Sequence, residues 1–126
     1  MANGMKKKIL IVDDESGIVR LLSIRLKAKN YEVFVAYDGV EGVQIAQKEI
    51  PDLILMDIKM PNGGGIAAFQ KLIQSEITNR IPVIFMTASY PINGIQNQVI
   101  KMGAKGCISK PFVNEEFERA IASTLR

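Results

Sequence analysis

Histidine and tryptophan are missing from this chain, cysteine occurs once, and only 6% of the residues are aromatic. With Cys107 alone, no internal disulfide framework and no cysteine-cage zinc site can form, which fits a reducing, cytoplasmic setting. Cys107 has no partner cysteine or histidine, so it reads as a small buried core residue rather than a redox centre. Long apolar runs are lacking too. The longest early one, Ile9 to Val12, stops at two aspartates, and neither a signal peptide nor a membrane span can be built from it. Charge of one sign does not dominate either: 16 Lys and Arg against 13 Asp and Glu leave a net +3. Lys6-Lys7-Lys8 supplies much of that excess and reads as a solvated tail rather than a nucleic-acid patch, while Lys101, Lys105 and Arg119 read as a solvated face.

What is present is enough for one ordinary domain: 126 residues, 48% of them hydrophobic, can bury a core without staples. Strand and helix patterns alternate five times. Apolar runs at Ile9 to Val12, Leu53 to Met56 and Pro82 to Met86, the β-favouring stretch Tyr31 to Tyr37 and the short segment Cys107 to Ser109 predict strands. Between them lie apolar stripes with a three-or-four step: Ile18, Leu21, Leu22 and Leu26; Val40, Val43, Ala46 and Ile50; Ile66, Phe69, Leu72 and Ile73; Ile95, Val99 and Met102; Phe117, Ala120, Ile121 and Leu125. Continuous runs mean burial on both faces, hence an α/β fold with a parallel central sheet covered by helices. Pro51 ends the second helix, Pro61-Asn62-Gly63-Gly64-Gly65 reads as a loop, Gly103 ends the fourth helix, and Asn114 caps the last with Glu115 and Glu116 in its first turn. There is no repeat and no internal linker, and the pattern leaves no room for a second domain.

The polar residues at the strand ends carry the chemistry. Asp13 and Asp14 follow the first strand, Asp57 closes the third, Thr87 the fourth, and Lys110 follows the fifth. In a parallel sheet these groups meet at the carboxyl edge, where open α/β sheets bind ligands. Any one of them has a bland reading: Asp14 or Glu15 could simply start the first helix, and a lone strand-end threonine or lysine means little. Their joint placement describes a phosphate-and-metal site. Two like charges ~4 Å apart repel by ~4 kcal/mol at an effective dielectric of 20, so three carboxylates need a cation. Magnesium takes oxygen ligands, and Lys110 adds a second positive charge. Asp57 can then act as a nucleophile on phosphorus while Lys110 and the Thr87 hydroxyl stabilise the phosphoryl oxygens. An aspartate-nucleophile phosphatase would commonly carry a second aspartate two residues on, where this chain has Lys59. A flavodoxin-like cofactor carrier needs a phosphate loop after the first strand, and Asp13-Asp14-Glu15 would repel it.

Asp13-Asp14, the segment Asp57-Ile58-Lys59-Met60-Pro61, Gly65 eight positions after Asp57, Thr87-Ala88-Ser89 and Lys110-Pro111-Phe112 together make the chain resemble a receiver domain of the two-component response-regulator family. The resemblance covers the whole chain, with residues 1–5 as a tail and 6–126 as the domain. It implies the flavodoxin-like doubly wound sheet in the order 2-1-3-4-5 with five helices. It also implies that Asp57 accepts a phosphoryl group from a phosphohistidine of a histidine kinase or histidine phosphotransfer protein. By the same resemblance Asp14 and Asp57 bind Mg2+ directly, Asp13 helps through water, and the backbone carbonyl of Lys59 is a further ligand. Lys110 pairs with the phosphoryl group, Thr87 and Ala88 bind it on switching, and the Lys110–Pro111 peptide is cis. No membrane and no direct nucleic-acid contact is implied. Lacking histidine, the chain cannot be its own donor. It departs from the family pattern at two places: Cys107 stands where many relatives carry an aromatic switch residue, and Gly63 and Gly64 stand where relatives often have methionine and aspartate.

Overall fold

Five strands and five helices alternate in a computed structural model that describes residues 5–61, 64–87, 93–110 and 115–126. They are β1 (Lys8–Val12), α1 (Ser16–Ala28), β2 (Glu32–Ala36), α2 (Gly39–Glu49), β3 (Leu53–Asp57), α3 (Gly64–Gln74), β4 (Val83–Thr87), α4 (Asn93–Lys101), β5 (Gly106–Ser109) and α5 (Glu115–Thr124). All strand pairs are parallel, in the order β2-β1-β3-β4-β5. The expected doubly wound fold is therefore present. Its register levels the strand ends: Val12 lies beside Ala36 and Met56, Asp57 beside Met86, and Thr87 beside Ser109.

Alternate side chains of each strand feed two separate cores, as the two-residue period of a strand requires. Ile9, Ile11, Leu53, Leu55, Ile84 and Met86 pack against Val19, Leu22 and Leu26 of α1 and Phe117 and Ile121 of α5. On the other face Leu10, Val12, Ile54, Met56 and Phe85 meet Ala46 of α2, Phe69 and Leu72 of α3, and Val99 of α4. Phe69 and Phe85 meet edge to face, with ring centroids 5.4 Å apart. At about 1.5–3 kcal/mol for each large apolar side chain fully buried, these two layers hold the sheet rigid under its carboxyl edge. Every residue of β3 and β4 is buried, which explains their unbroken apolar runs.

Several sequence expectations need correction. Leu21, Val40, Ile50 and Ile73 belong to the apolar stripes, yet they are 43%, 46%, 53% and 40% exposed. A helix lying on a sheet buries a narrower arc than a three-or-four stripe covers. Ile50 lies outside α2 altogether: as its C-cap it adopts a left-handed conformation, φ 47°, before Pro51. The glycine-rich loop is also shorter than its sequence suggests, because Gly64 and Gly65 already belong to α3, with Gly64 at φ 74°. Cys107 is half-buried rather than fully buried, since β5 is an edge strand. The expected Asn114 cap and the cis peptide before Pro111 lie outside the described residues.

Candidate functional site

Asp13 is fixed through both its backbone and its side chain. Its N–H donates to the Ala36 carbonyl at 3.1 Å, adding a rung beyond β1, and its Oδ1 accepts from the Glu15 N–H at 2.9 Å. The side chain is fully buried as a result. Asp57 ends β3 and is 5% exposed. Just beyond it, the Gly65 N–H donates to the Ile58 carbonyl at 2.8 Å, drawing the start of α3 against the strand. Thr87 is buried at the end of β4, and its carbonyl accepts the Lys110 N–H at 2.7 Å. That bond sets the Lys110 side chain over the sheet's carboxyl edge.

The Lys110 ammonium is the hub. Its Nζ lies 2.7 Å from Asp13 Oδ2, 2.8 Å from Glu15 Oε1 and 3.3 Å from Asp57 Oδ1. The contact with Asp13 is ionic without hydrogen-bond alignment, so Asp13 Oδ2 is buried with no hydrogen-bond partner among the described residues. Burial would lower the Lys110 pKa, but its close contacts with the Asp13 and Glu15 carboxylates outweigh that and raise it. Asp57 goes the other way. Burial first, and the Asp13 charge second, push its carboxyl up to about 6 even though Lys110 draws it down. Asp14 is exposed, yet its carboxylate completes a group with Asp13 and Asp57 whose oxygens lie within 4.8 Å of one another. Three oxygen donors of this kind suit a hard divalent cation.

Of the residues singled out from sequence, Asp13, Asp14, Asp57 and Lys110 come together, and Thr87 stands at the adjoining strand end. Lys59 lies exposed in the bend after β3, and Ala88 falls outside the described residues. Glu15 was not expected. Sequence offered it as a helix start and as part of the anionic run after β1, and it does occupy the N-cap position of α1, but its side chain makes no capping bond and goes to Lys110 instead. Only the fold brings two residues 95 positions apart into contact.

The chain matches the family described as response regulator receiver domain over residues 9–122. It is 39% identical over 123 residues to the "Probable transcriptional regulator ycf27" of Cyanophora paradoxa, covering 96% of this chain and 49% of that protein. It is 36% identical over 121 residues to the DNA-binding dual master transcriptional regulator RpaA of a Synechocystis species, again covering 94% and 49%. The chain thus spans about half the length of these curated relatives. Among solved structures, the chemotaxis response regulator CheY4 of Vibrio cholerae superposes with a TM-score of 0.87 at 28% identity, over 96% of this chain and all of that one. Sheet order, strand-end residues and these likenesses agree: the chain belongs to the receiver domains of two-component response regulators.

Proposed function

We propose that this domain accepts a phosphoryl group on Asp57 from a phosphohistidine of a partner histidine kinase or histidine phosphotransfer protein, in a magnesium-dependent reaction, and signals by a change of conformation. The observation that carries this reading is the Asp57 carboxylate, buried at a strand end within 3.3 Å of a buried ammonium and beside two further carboxylates. The receiver takes in residues 6–126, with 1–5 as a tail, and works in the cytoplasm without contacting nucleic acid or membrane itself. No helix among the described residues is long and apolar enough to cross a membrane. Output goes either to a protein partner directly or to an effector region outside this sequence.

The residues fit magnesium, since Asp13 Oδ2 is a buried carboxylate oxygen with its hydrogen-bonding capacity unfilled. Asp14 and Asp57 would hold the ion directly, Asp13 through water, and the Lys59 carbonyl would add a ligand. When bound, magnesium neutralises charge on the carboxylates and on the phosphoryl oxygens. An Asp57 oxygen attacks phosphorus, and as its O–P bond forms the P–N bond to the donor imidazole breaks, its electron pair returning to that nitrogen. Lys110 balances negative charge on the transferring group, and the Thr87 hydroxyl donates a hydrogen bond to the product. The same groups can then direct water at the acylphosphate, so the domain catalyses its own loss of signal. A small-molecule phosphodonor with magnesium should add one acid-stable, hydroxylamine-sensitive phosphoryl group per chain. Equal labelling of Asp57→Asn would remove Asp57 from this role.

A further inference from the structure

The Lys110 ammonium is already crowded by three carboxylates, bonded to Glu15 and in ionic contact with Asp13 and Asp57. A phosphoryl group arriving on Asp57 brings new oxygens, so an existing contact must give way. The three partners differ in what they can give up. Asp13 is fully buried and its other oxygen is held by the Glu15 N–H, so its charge has nowhere to go. Asp57 is the residue being modified and is itself only 7% exposed at the side chain. Glu15 is different: its side chain is 58% exposed, it caps no helix amide, and solvent can replace Lys110 at its carboxylate. Its backbone stays anchored meanwhile, the N–H donating to Asp13 and the carbonyl accepting from the Val19 N–H at 3.1 Å.

From this we infer, building on the proposed phosphoacceptor reading, that Glu15 is a positioning residue: a placeholder anion that holds Lys110 Nζ at the acidic cluster and is exchanged for phosphoryl oxygens. The Asp13 and Glu15 contacts are 2.7 and 2.8 Å and the Asp57 contact 3.3 Å, so before transfer the lysine is held between Asp13 and the placeholder at the acceptor's expense. Removing the placeholder frees Lys110 for the phosphoryl group. An ion pair with one exposed partner, such as Glu15, sets the size of the effect, a two- to five-fold change.

Glu15→Gln and Glu15→Asp separate this role from simple charge repulsion of an anionic donor. Glutamine removes the charge. Aspartate keeps it but is one methylene too short to reach Lys110 in this geometry. The wild type and both variants would be phosphorylated with acetyl phosphate and magnesium, acetate leaving as the bond to Asp57 forms, and would be titrated with beryllofluoride by fluorine NMR. The expected result is that both variants react two- to five-fold faster and bind beryllofluoride tighter by a similar factor. An aspartate variant that behaves as wild type while glutamine speeds the reaction would overturn the placeholder role, leaving charge alone. Rates and affinities equal to wild type in both variants would overturn it as well. Wild type that takes up no label on Asp57 would instead sink the phosphoacceptor reading itself, which the Asp57→Asn control makes visible.

Discussion

The carbonyl oxygen of Asp57 occupies the space that a Cβ atom on residue 65 would need. The Met56 side chain stands behind it, 3.0 Å from the same position. Gly65 is therefore what lets the first turn of α3 close on the strand end through its bond to the Ile58 carbonyl. Backbone, unlike a flexible side chain, cannot step aside.

Gly65→Ala should destabilise the domain by about 1–3 kcal/mol, the range for forcing extra volume into a packed site, and should slow labelling of Asp57 by moving its backbone. Gly17→Ala in α1 is the control. A Cβ there meets nothing within 4 Å, so the same change should leave the protein unharmed or more stable by about 0.5 kcal/mol. Urea unfolding of both variants decides the matter, and equal midpoints would refute the close approach.

The raised Asp57 pKa gives a signed dependence of stability on pH. Its folded value of about 6 exceeds the ordinary aspartate value of 3.8, so the fold favours the protonated carboxyl. That contribution is complete below about pH 4 and is lost as pH rises through about 6. At 1.36 kcal/mol per unit, the ionised carboxylate costs the fold about 3 kcal/mol near neutrality. Asp57→Asn should thus be more stable than wild type by about 1–3 kcal/mol at neutral pH in chelator, with the gap shrinking as pH falls from 6 toward 4. A variant less stable than wild type at neutral pH would contradict the balance of burial over the Lys110 attraction.

Lys110 contacts Asp13 and Asp57, two of the carboxylates that a divalent cation would use. Lys110→Ala leaves Asp13 and Asp57 buried without their ammonium, and breaking such a buried pair costs about 3–5 kcal/mol. Magnesium should restore most of that loss. The variant is expected to melt well below wild type in chelator, to approach it in millimolar magnesium, and to bind the ion several-fold more tightly by calorimetry. Weaker magnesium binding in Lys110→Ala would show that the lysine orders the carboxylates more than it competes for them.

Strand identity, both core faces and the strand-end residues were legible in the sequence, because continuous apolar runs and polar stops survive any tertiary context, whereas the strand order followed only from the resemblance to receiver domains. Leu22, Leu26, Val99, Phe117 and Ile121 are buried as their spacing implies. Leu21 was not separable from Leu22, since neighbours in sequence differ by only 100° around a helix and the sheet decides which one it covers. The start of α2 carries its own local signal: Asp38 accepts from the Glu41 N–H at 2.8 Å while Glu41 accepts from the Tyr37 N–H at 2.7 Å, and an acidic residue three positions after an aspartate marks such a cap. Glu15 was beyond reach, because nothing local distinguishes a carboxylate that starts a helix from one that reaches a distant lysine.

Cys107 stands on the edge strand β5. It pairs in register with Phe85, packs partly buried against the core that holds Phe69 and Phe85, and burial raises its thiol pKa. A phosphoryl group changes the domain only by being better bound in one conformation than another, and that difference must appear as contacts. Cysteine has one short rotor and no ring to swing between solvent and core, so little of the difference can be made here. Hydrogen exchange with and without beryllofluoride and magnesium should therefore show small changes over residues 106–108 and larger ones over residues 62–65, which adjoin Asp57 through Gly65, and 88–94, which follow Thr87. Replacing Cys107 with tyrosine should raise the response of β5 without altering the site of labelling. Strong protection centred on residues 106–108 of the wild type, with the other two segments silent, would mean that the edge strand carries the output without an aromatic residue.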